Sequence, residues 1–220
     1  MAFIKRYWLR ILVHIACLIP FVLLMWDYSN DNLTVNPIQE ATSRTGKAAL
    51  IILVVSLACT PLKTLFNIKQ VLPLRRPLGL YAFFYVCIHL LIFTVFDYGL
   101  DWGLITETVA KKRYVLVGFS AFLLLLPLAL TSTKSAMRRL GKRWKVLHKL
   151  VYLAAALAIL HFVWLVKADI SEPLMYGAAV AVLLLLRLPR IRQAITRWRT
   201  RRSHPLKQEP ERVLPVISDQ

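Results

Sequence analysis

Six long apolar segments constrain this 220-residue chain more than any other feature of its sequence. They run from Ile11 to Trp26, Ala48 to Leu62, Leu78 to Phe96, Tyr114 to Thr131, Leu147 to Val166 and Leu174 to Leu188. About 20 helical residues cross the hydrocarbon core of a bilayer, and the segments lack the polar alternation of strands. The pattern predicts an all-α integral membrane protein, a six-helix transmembrane bundle whose second and sixth spans are short.

The chain is expected to form one membrane domain over residues 1–190, because no internal repeat and no Gly/Ser-rich linker is apparent. Residues 191–220 make up a basic tail. The stretch from Arg187 to Arg202 is typical of an amphipathic helix on an anionic membrane surface, and docking of a cytosolic partner is the alternative. Prolines and mixed charges from Ser203 onward indicate disorder.

The first apolar segment follows Lys5, Arg6 and Arg10, so it resembles the core of a secretory signal peptide. It ends in Met25-Trp26-Asp27, however, without the small residues of a cleavage site. An uncleaved first span is therefore favoured.

The net charge of +18 is distributed very unevenly along the chain. With the N-terminus inside, 23 of the 29 Lys and Arg residues fall on the inner side and eight of the eleven acids fall outside. Positive charge on the cytoplasmic side sets the orientation of membrane proteins. We therefore expect both termini in the cytoplasm of a bacterium, a multi-pass protein of its inner membrane in contact with lipid, and no nucleic-acid partner.

Ionisable groups inside spans are costly and therefore informative, and here they are almost entirely histidines. No Asp or Glu lies within the six segments, which argues against a proton-driven transporter. A transporter or channel also needs a polar path, for which the spans offer few groups beyond Ser56, Thr60, Thr94 and Ser120. A structural assembly factor, which binds no cofactor, is the other alternative.

Two of these histidines are predicted to lie at the same depth. His89 lies 13 residues after Arg76, and His161 lies 12 residues after Lys149, in spans that run in the same direction. Each is therefore roughly 20 Å from the inner surface. Two imidazoles that face each other from different helices in an apolar bundle are what a six-coordinate haem iron requires. The alternative is that each histidine is a hydrogen-bonding strut between helices.

A second group of candidates lies near the inner surface. His148 is 13 residues before His161, a spacing that does not place both rings on one helical stripe without a distortion. Arg75 and Arg76 stand at the corresponding depth of the third span, where an arginine is a poor iron ligand but a good partner for a phosphate. A second haem or a flavin or quinone site is therefore left open, with these candidate residues: His148, His14, Arg75 and Arg76. Contacts to haem propionates or a flavin phosphate are expected from Arg75, Arg76, Lys142 and Arg143.

Two stretches of sequence carry a family resemblance. The first begins at Arg75-Arg76-Pro77 and ends at Cys87-Ile88-His89-Leu90, and it resembles the third span of ferric-reductase-like transmembrane domains. The second comprises Leu130 to Lys134, Leu140 to Tyr152 with Trp144 and His148, and His161 to Trp164. It resembles the haem-binding membrane subunits of bacterial periplasmic methionine sulfoxide reductase systems. The resemblance covers about residues 8–190.

The resemblance implies a b-type haem with His89 and His161 as iron ligands, and a third histidine near the inner side at His148. It also implies flavin mononucleotide and, as partner, a periplasmic molybdopterin-containing reductase that repairs oxidised methionines in envelope proteins. The chain is then an electron-transfer subunit rather than the catalytic reductase. The donor is left open between quinol and a cytosolic flavin reductase, and a ferric-reductase-like or quinol-linked cytochrome with another acceptor is the alternative.

Overall fold

The computed structural model of the chain describes residues 2–166 and 169–203, with side chains for residues 8–166 and 169–197. The α-helices are α1 (Ala2–Ser29), α2 (Pro37–Phe66), α3 (Arg75–Leu91), α4 (Trp102–Lys111), α5 (Arg113–Leu130), α6 (Lys134–Leu140), α7 (Lys142–Leu147), α8 (Leu150–Leu165), α9 (Ser171–Leu185) and α10 (Pro189–Ser203). A 3-10 helix at Lys69–Leu74 precedes α3, and a π-helical turn at Ile92–Asp97 continues it. The described residues contain no strand, so the predicted all-α fold is confirmed.

Five helical segments are long and apolar enough to cross a membrane. They are Trp8–Ser29, Pro37–Phe66, Lys69–Asp97, Arg113–Leu130 and Lys142–Leu165. The predicted sixth span differs from the others, because α9 has only 15 residues and reaches spanning length only together with α10, across a bend of 69°. A helix of 15 residues is about 22 Å long, shorter than the hydrocarbon core of roughly 30 Å. The bundle is therefore a multi-pass membrane fold of five spans, or six if the bent pair counts as one.

Helix α2 is twice as long as its apolar segment predicts. It has 30 residues because Asn36 caps its first turn, accepting a hydrogen bond from the Gln39 amide at 3.1 Å, and Pro37 occupies the first helical position. At the other end Asn67 adopts a left-handed conformation with φ of 57°, which terminates the helix. Local capping residues thus extend α2 beyond the apolar stretch at both ends.

Helix α1 is bound to α3 through the hydroxyl of Tyr85. Pro20 interrupts the hydrogen-bond ladder of α1, and nearby the Tyr85 hydroxyl accepts from the Phe21 amide at 3.0 Å and donates to the Cys17 carbonyl at 2.6 Å. Backbone groups freed inside a membrane must find such partners. Tyr85 is 1% exposed, whereas most of α1 presents large apolar side chains to its surroundings, as a lipid-facing helix does.

The centre of the bundle consists of two helix pairs. Helix α3 packs along α2, and α8 packs along α5. Small residues at the contacts allow this close approach, since Ala82 on α3 is 1% exposed and Ala154 on α8 is 0% exposed. Phe83 of α3 stacks on Phe122 of α5, with ring centroids 5.9 Å apart, and so joins the two pairs.

The two ends of the bundle differ in charge. We call the end where α2 and α9 begin the acidic end and the end where α3 and α8 begin the basic end. The eight acids within the described residues all lie at the acidic end, in Asp27–Glu40, Asp97–Glu107 and Asp169–Glu172. The predicted basic amphipathic helix corresponds to α10; the predicted disorder falls on residues 204–220, which lie outside the described part of the chain. Which end faces the cytoplasm stays a prediction.

The three cysteines are free, as expected from their apolar surroundings. Cys17 and Cys59 are buried, and Cys87 is half-buried. They contribute packing rather than cross-links.

Candidate functional site

The rings of His89 and His161 face each other across the interface between the two helix pairs. Their centroids are 6.2 Å apart and their planes are nearly perpendicular, at 89°. His89 lies near the end of α3 and His161 near the end of α8, so the equal depth expected from the sequence brings them together. Both rings are half-buried.

Each ring is held by a backbone carbonyl from the partner helix of its own pair. The Nδ1 atom of His89 lies 2.9 Å from the Thr42 carbonyl oxygen, and the Nδ1 atom of His161 lies 2.6 Å from the Tyr114 carbonyl oxygen. A carbonyl can only accept, so each Nδ1 carries the proton and donates it. The tautomer is thereby fixed, and Nε2 of each ring keeps its lone pair for a metal ion.

A glycine stands beside each ring. A Cβ atom added at Gly46 on α2 would lie 3.1 Å from Nδ1 of His89, and one added at Gly118 on α5 would lie 2.7 Å from Nδ1 of His161. Any side chain at these positions would displace the ring or the helix. The two glycines therefore permit the close approach of histidine to the neighbouring helix.

These contacts reveal a repeat that is not apparent in the sequence. The histidine and its carbonyl partner are 47 residues apart in both pairs. The residues that correspond lie 72 positions apart: Thr42 and Tyr114, Gly46 and Gly118, Leu78 and Leu150, Ala82 and Ala154, His89 and His161. The expectation of no internal repeat is therefore wrong at the level of structure. The signal was present as equal spacing, but few residues between these positions are identical.

The histidine pair fits the axial ligands of a haem iron. With a metal–nitrogen bond of about 2.0 Å on each side and roughly 1 Å from each nitrogen to its ring centre, two axial imidazoles have centroids about 6 Å apart. The observed separation is 6.2 Å. Both Nδ1 atoms are already hydrogen-bonded, as the outer-shell contacts of metal-binding histidines commonly are. No group of three or more His, Cys, Asp or Glu side chains suited to a metal ion occurs within the described residues.

The other two histidines of the spans are engaged elsewhere. Nε2 of His148 lies 3.2 Å from the Thr131 hydroxyl, and its ring lies over Trp144 with centroids 4.0 Å apart. The helix is interrupted at this point, because α7 ends at Leu147 and α8 begins at Leu150. His14 on α1 is hydrogen-bonded to the Tyr81 hydroxyl at 2.9 Å. The structure therefore does not bring His14 and His148 together, and the second haem stays a prediction without a facing pair.

The basic candidates lie at the other end of the bundle from the histidine pair. Arg75 and Arg76 open α3, and Lys142 and Arg143 open α7; all four are exposed. Thirteen or fourteen helical residues separate them from the level of the pair, a distance of roughly 20 Å. That distance exceeds the reach of a propionate on a haem held by the pair. The flavin-phosphate contact stays a prediction for these residues.

Cations nearer to the histidine pair are in ion pairs. Arg44 contacts Asp27 at 2.5 Å and also Glu40, and Lys47 contacts Glu172 at 2.7 Å. These bridges connect α2 to the end of α1 and to the start of α9. They fasten the acidic end around the pair, and the sequence gave no sign of the pairing.

Most of the hydroxyl groups considered for a polar path bond to backbone. Ser56 donates to the Arg75 carbonyl at 3.0 Å, while Thr94 and Ser120 donate to carbonyls of their own helices. Hydroxyls used in this way do not line a continuous route through the bundle. The arrangement favours the cofactor hypothesis over the transporter alternative.

Comparison with known families agrees with this architecture. Residues 45–159 match the family model described as ferric reductase like transmembrane component. The matched region contains the two helix pairs and His89, and it ends two residues before His161. Fold and histidine pair thus define a ferric-reductase-like transmembrane protein.

Similarity to individual proteins is more specific and extends further along the chain. The protein-methionine-sulfoxide reductase heme-binding subunit MsrQ of Rhodospirillum rubrum is 47% identical over 186 residues, which are 84% of this chain and 89% of that protein. Proteins of the same name from Xanthomonas axonopodis pv. citri and Herminiimonas arsenicoxydans are 46% and 45% identical, over 80% and 82% of this chain and 83% and 84% of their own length. The chain belongs to the MsrQ family. No solved structure matches it.

Proposed function

We propose that this chain is a b-type cytochrome subunit that holds one haem b between His89 and His161. The observation that carries the proposal is the geometry of the pair, two rings with centroids 6.2 Å apart and both Nδ1 protons donated to carbonyls. Relatives with 45–47% identity are named heme-binding subunits, which supports the same cofactor here.

The chain's own residues prepare the site in three ways. The Thr42 and Tyr114 carbonyls orient the rings and select the tautomer with a free Nε2. Apolar side chains of α3, α5 and α8 keep water out of the interface between the helix pairs. Bound there, haem supplies one-electron redox chemistry, whose potential depends on the axial ligands and their burial.

The partner we propose is a methionine sulfoxide reductase, as the names of the relatives indicate. In finer detail, we propose a periplasmic, molybdopterin-dependent catalytic subunit that repairs oxidised envelope proteins. The chain then passes electrons across the bacterial inner membrane, from the basic end to the acidic end. The charge distribution supports this direction, because the basic end of a membrane protein is normally cytoplasmic.

The electron donor is proposed to act at the basic end. A cytosolic flavin reductase or a quinol would reach the chain there, and bound flavin mononucleotide is part of the same proposal. The exposed cations Arg75, Arg76, Lys142 and Arg143 support binding of a flavin phosphate, since guanidinium and ammonium groups are its usual partners.

Substitution of either ring tests the cofactor proposal. We expect His89→Ala and His161→Ala to abolish the low-spin haem spectrum of the purified protein, because each removes one of two axial ligands. The measurement is the visible spectrum, oxidised and dithionite-reduced, normalised to protein. His204→Ala, a histidine change in the C-terminal tail, is the matched control and should retain the spectrum. An unchanged spectrum in either ring variant would remove the ligand assignment, and a colourless parent protein would remove the cytochrome proposal itself.

A further inference from the structure

A cavity opens at the basic end of the bundle, where α2 ends and where α3, α8 and α10 begin. Its volume is about 440 Å³. The polar side chains that line it are Thr60, Thr64, Arg75, Tyr152, Arg187 and Arg192. Three guanidinium groups and three hydroxyl groups thus surround one space.

Arg187 is held in the wall of this cavity by neutral acceptors. One terminal nitrogen donates to the Tyr152 hydroxyl, the other donates to the Leu57 carbonyl at 2.5 Å, and the guanidinium lies 5.1 Å from the centre of the Tyr152 ring. The Nε atom is buried and has no hydrogen-bond partner within the described residues. The position of the charge is fixed, but its donors are not fully used.

The hydroxyl of Thr60 is also buried without a partner among the described residues. The second half of the bundle shows what such a hydroxyl does when it is satisfied. Thr131 lies in the segment Leu128-Ala129-Leu130-Thr131, which corresponds to Leu57-Ala58-Cys59-Thr60, and its hydroxyl bonds to His148. The first half has Arg76 at the position that corresponds to His148, so the partner of Thr60 is missing from the chain described.

Negative charge is missing from the same place. Arg75 and Arg187 repel each other, and no carboxylate of the described residues lies within ion-pair distance of Arg75, Arg187 or Arg192. The eight described acids are all at the opposite end of the bundle. Three cations around one cavity without a counter-ion are unfavourable unless an anion binds among them.

We infer that this cavity is a binding site for a phosphate group. Phosphate oxygens accept from guanidinium groups in a bidentate manner and from hydroxyls, so they match the donors that line the wall. The group could belong to a soluble phosphate or to the headgroup of an anionic phospholipid, since the cavity is open and lies at the membrane surface. The inference does not rest on haem binding, because it uses neither His89 nor His161.

The test uses the full chain purified in a neutral detergent without phosphate. Thermal unfolding is followed while inorganic phosphate is added at constant ionic strength, with chloride as the balancing salt. A parallel series uses bilayer discs of phosphatidylcholine with and without phosphatidylglycerol. We expect a saturable rise of the unfolding midpoint with inorganic phosphate, or with phosphatidylglycerol alone if the source is lipid.

Two variants connect the effect to the cavity. Thr60→Val keeps the shape of the side chain and removes a hydroxyl that has no partner, so it should fold and be no less stable without ligand. Arg192→Gln removes one cation, and Arg190→Gln makes the same change on the same helix outside the cavity lining. We expect Thr60→Val and Arg192→Gln to weaken the stabilisation about tenfold in ligand concentration, and Arg190→Gln to leave it unchanged.

The possible results separate clearly. Stabilisation by inorganic phosphate, lost in the two cavity variants, supports a site for a soluble phosphate. Stabilisation confined to phosphatidylglycerol and lost in the same variants supports a headgroup site. Absence of both effects, or effects equally large in the cavity variants and the parent, would overturn the inference.

Discussion

Single residues around the two rings decide whether a ligand pair can form. Gly118 tolerates no Cβ atom, because one would lie 2.7 Å from Nδ1 and 2.9 Å from Cε1 of His161. Gly46 is less restrictive, with 3.1 and 3.2 Å to the same atoms of His89. The difference ranks the two positions before any experiment.

Gly118→Ala is therefore expected to reduce haem retention more than Gly46→Ala. The added methyl group must push the His161 ring away from the Tyr114 carbonyl or move α5, and either shift spoils the ligand pair. Haem per protein in the purified variants, read from the reduced spectrum, is the measurement. Gly79→Ala is the control, since its Cβ would meet only the Ser56 hydroxyl oxygen at 3.9 Å. Equal haem content in Gly118→Ala and Gly79→Ala would contradict the packing argument.

The sequence predicts the rings but not the atoms that hold them. Histidine inside an apolar span is conspicuous, and residue counting places His89 and His161 at one depth. The partners of the rings are backbone carbonyls of Thr42 and Tyr114, and every residue type has a carbonyl. Gly46 and Gly118 become meaningful only when it is known which helices pair.

Individual elements follow local chemistry that hydropathy does not record. Helix α2 starts at Pro37, eleven residues before its apolar segment, because Asn36 and Pro37 form a helix start. Helix α4 is a short helix capped by Asp101 in a segment that we expected to be a loop. The ends of elements were therefore the least predictable part of the fold, whereas the number of apolar spans was predictable.

Helix α1 gives a prediction at this scale. Tyr85→Phe removes the hydroxyl that bridges the Phe21 amide and the Cys17 carbonyl, leaving both without that partner beside Pro20. A buried polar group left unpaired costs about 1–3 kcal/mol, so we expect a loss of unfolding free energy in that range. Tyr81→Phe is the matched control and should cost less, because its hydroxyl bonds to His14 in an exposed contact. Denaturant titration in detergent measures both, and a larger loss for Tyr81→Phe would contradict this role of Tyr85.

For the molecule as a whole, charge separates the two ends. The described acids lie at the acidic end, and most Lys and Arg residues lie at the basic end. The sequence supports this arrangement strongly because it depends on counts in loops rather than on packing. The structure adds that the acidic end is cross-connected by ion pairs, which Lys47 and Glu172 illustrate.

Cysteine labelling tests the proposed orientation. Single cysteines at Asn32 and Ser135, in a chain whose three native cysteines are replaced, report on opposite ends of the bundle. We expect a membrane-impermeant maleimide to label Asn32→Cys in intact spheroplasts, and Ser135→Cys only after the membrane is opened, because the basic end should be cytoplasmic. The reverse pattern would invert the topology and with it the direction of electron transfer.

The repeat has a consequence for how the protein is assembled. Each helix pair, α2 with α3 and α5 with α8, presents one ring and the carbonyl that orients it, so each pair can prepare its ligand alone. An iron bound by both rings would then act as a rivet between two independently formed halves. Loading the cofactor and closing the bundle become the same event, and a defect in either half should leave the other half folded but unjoined.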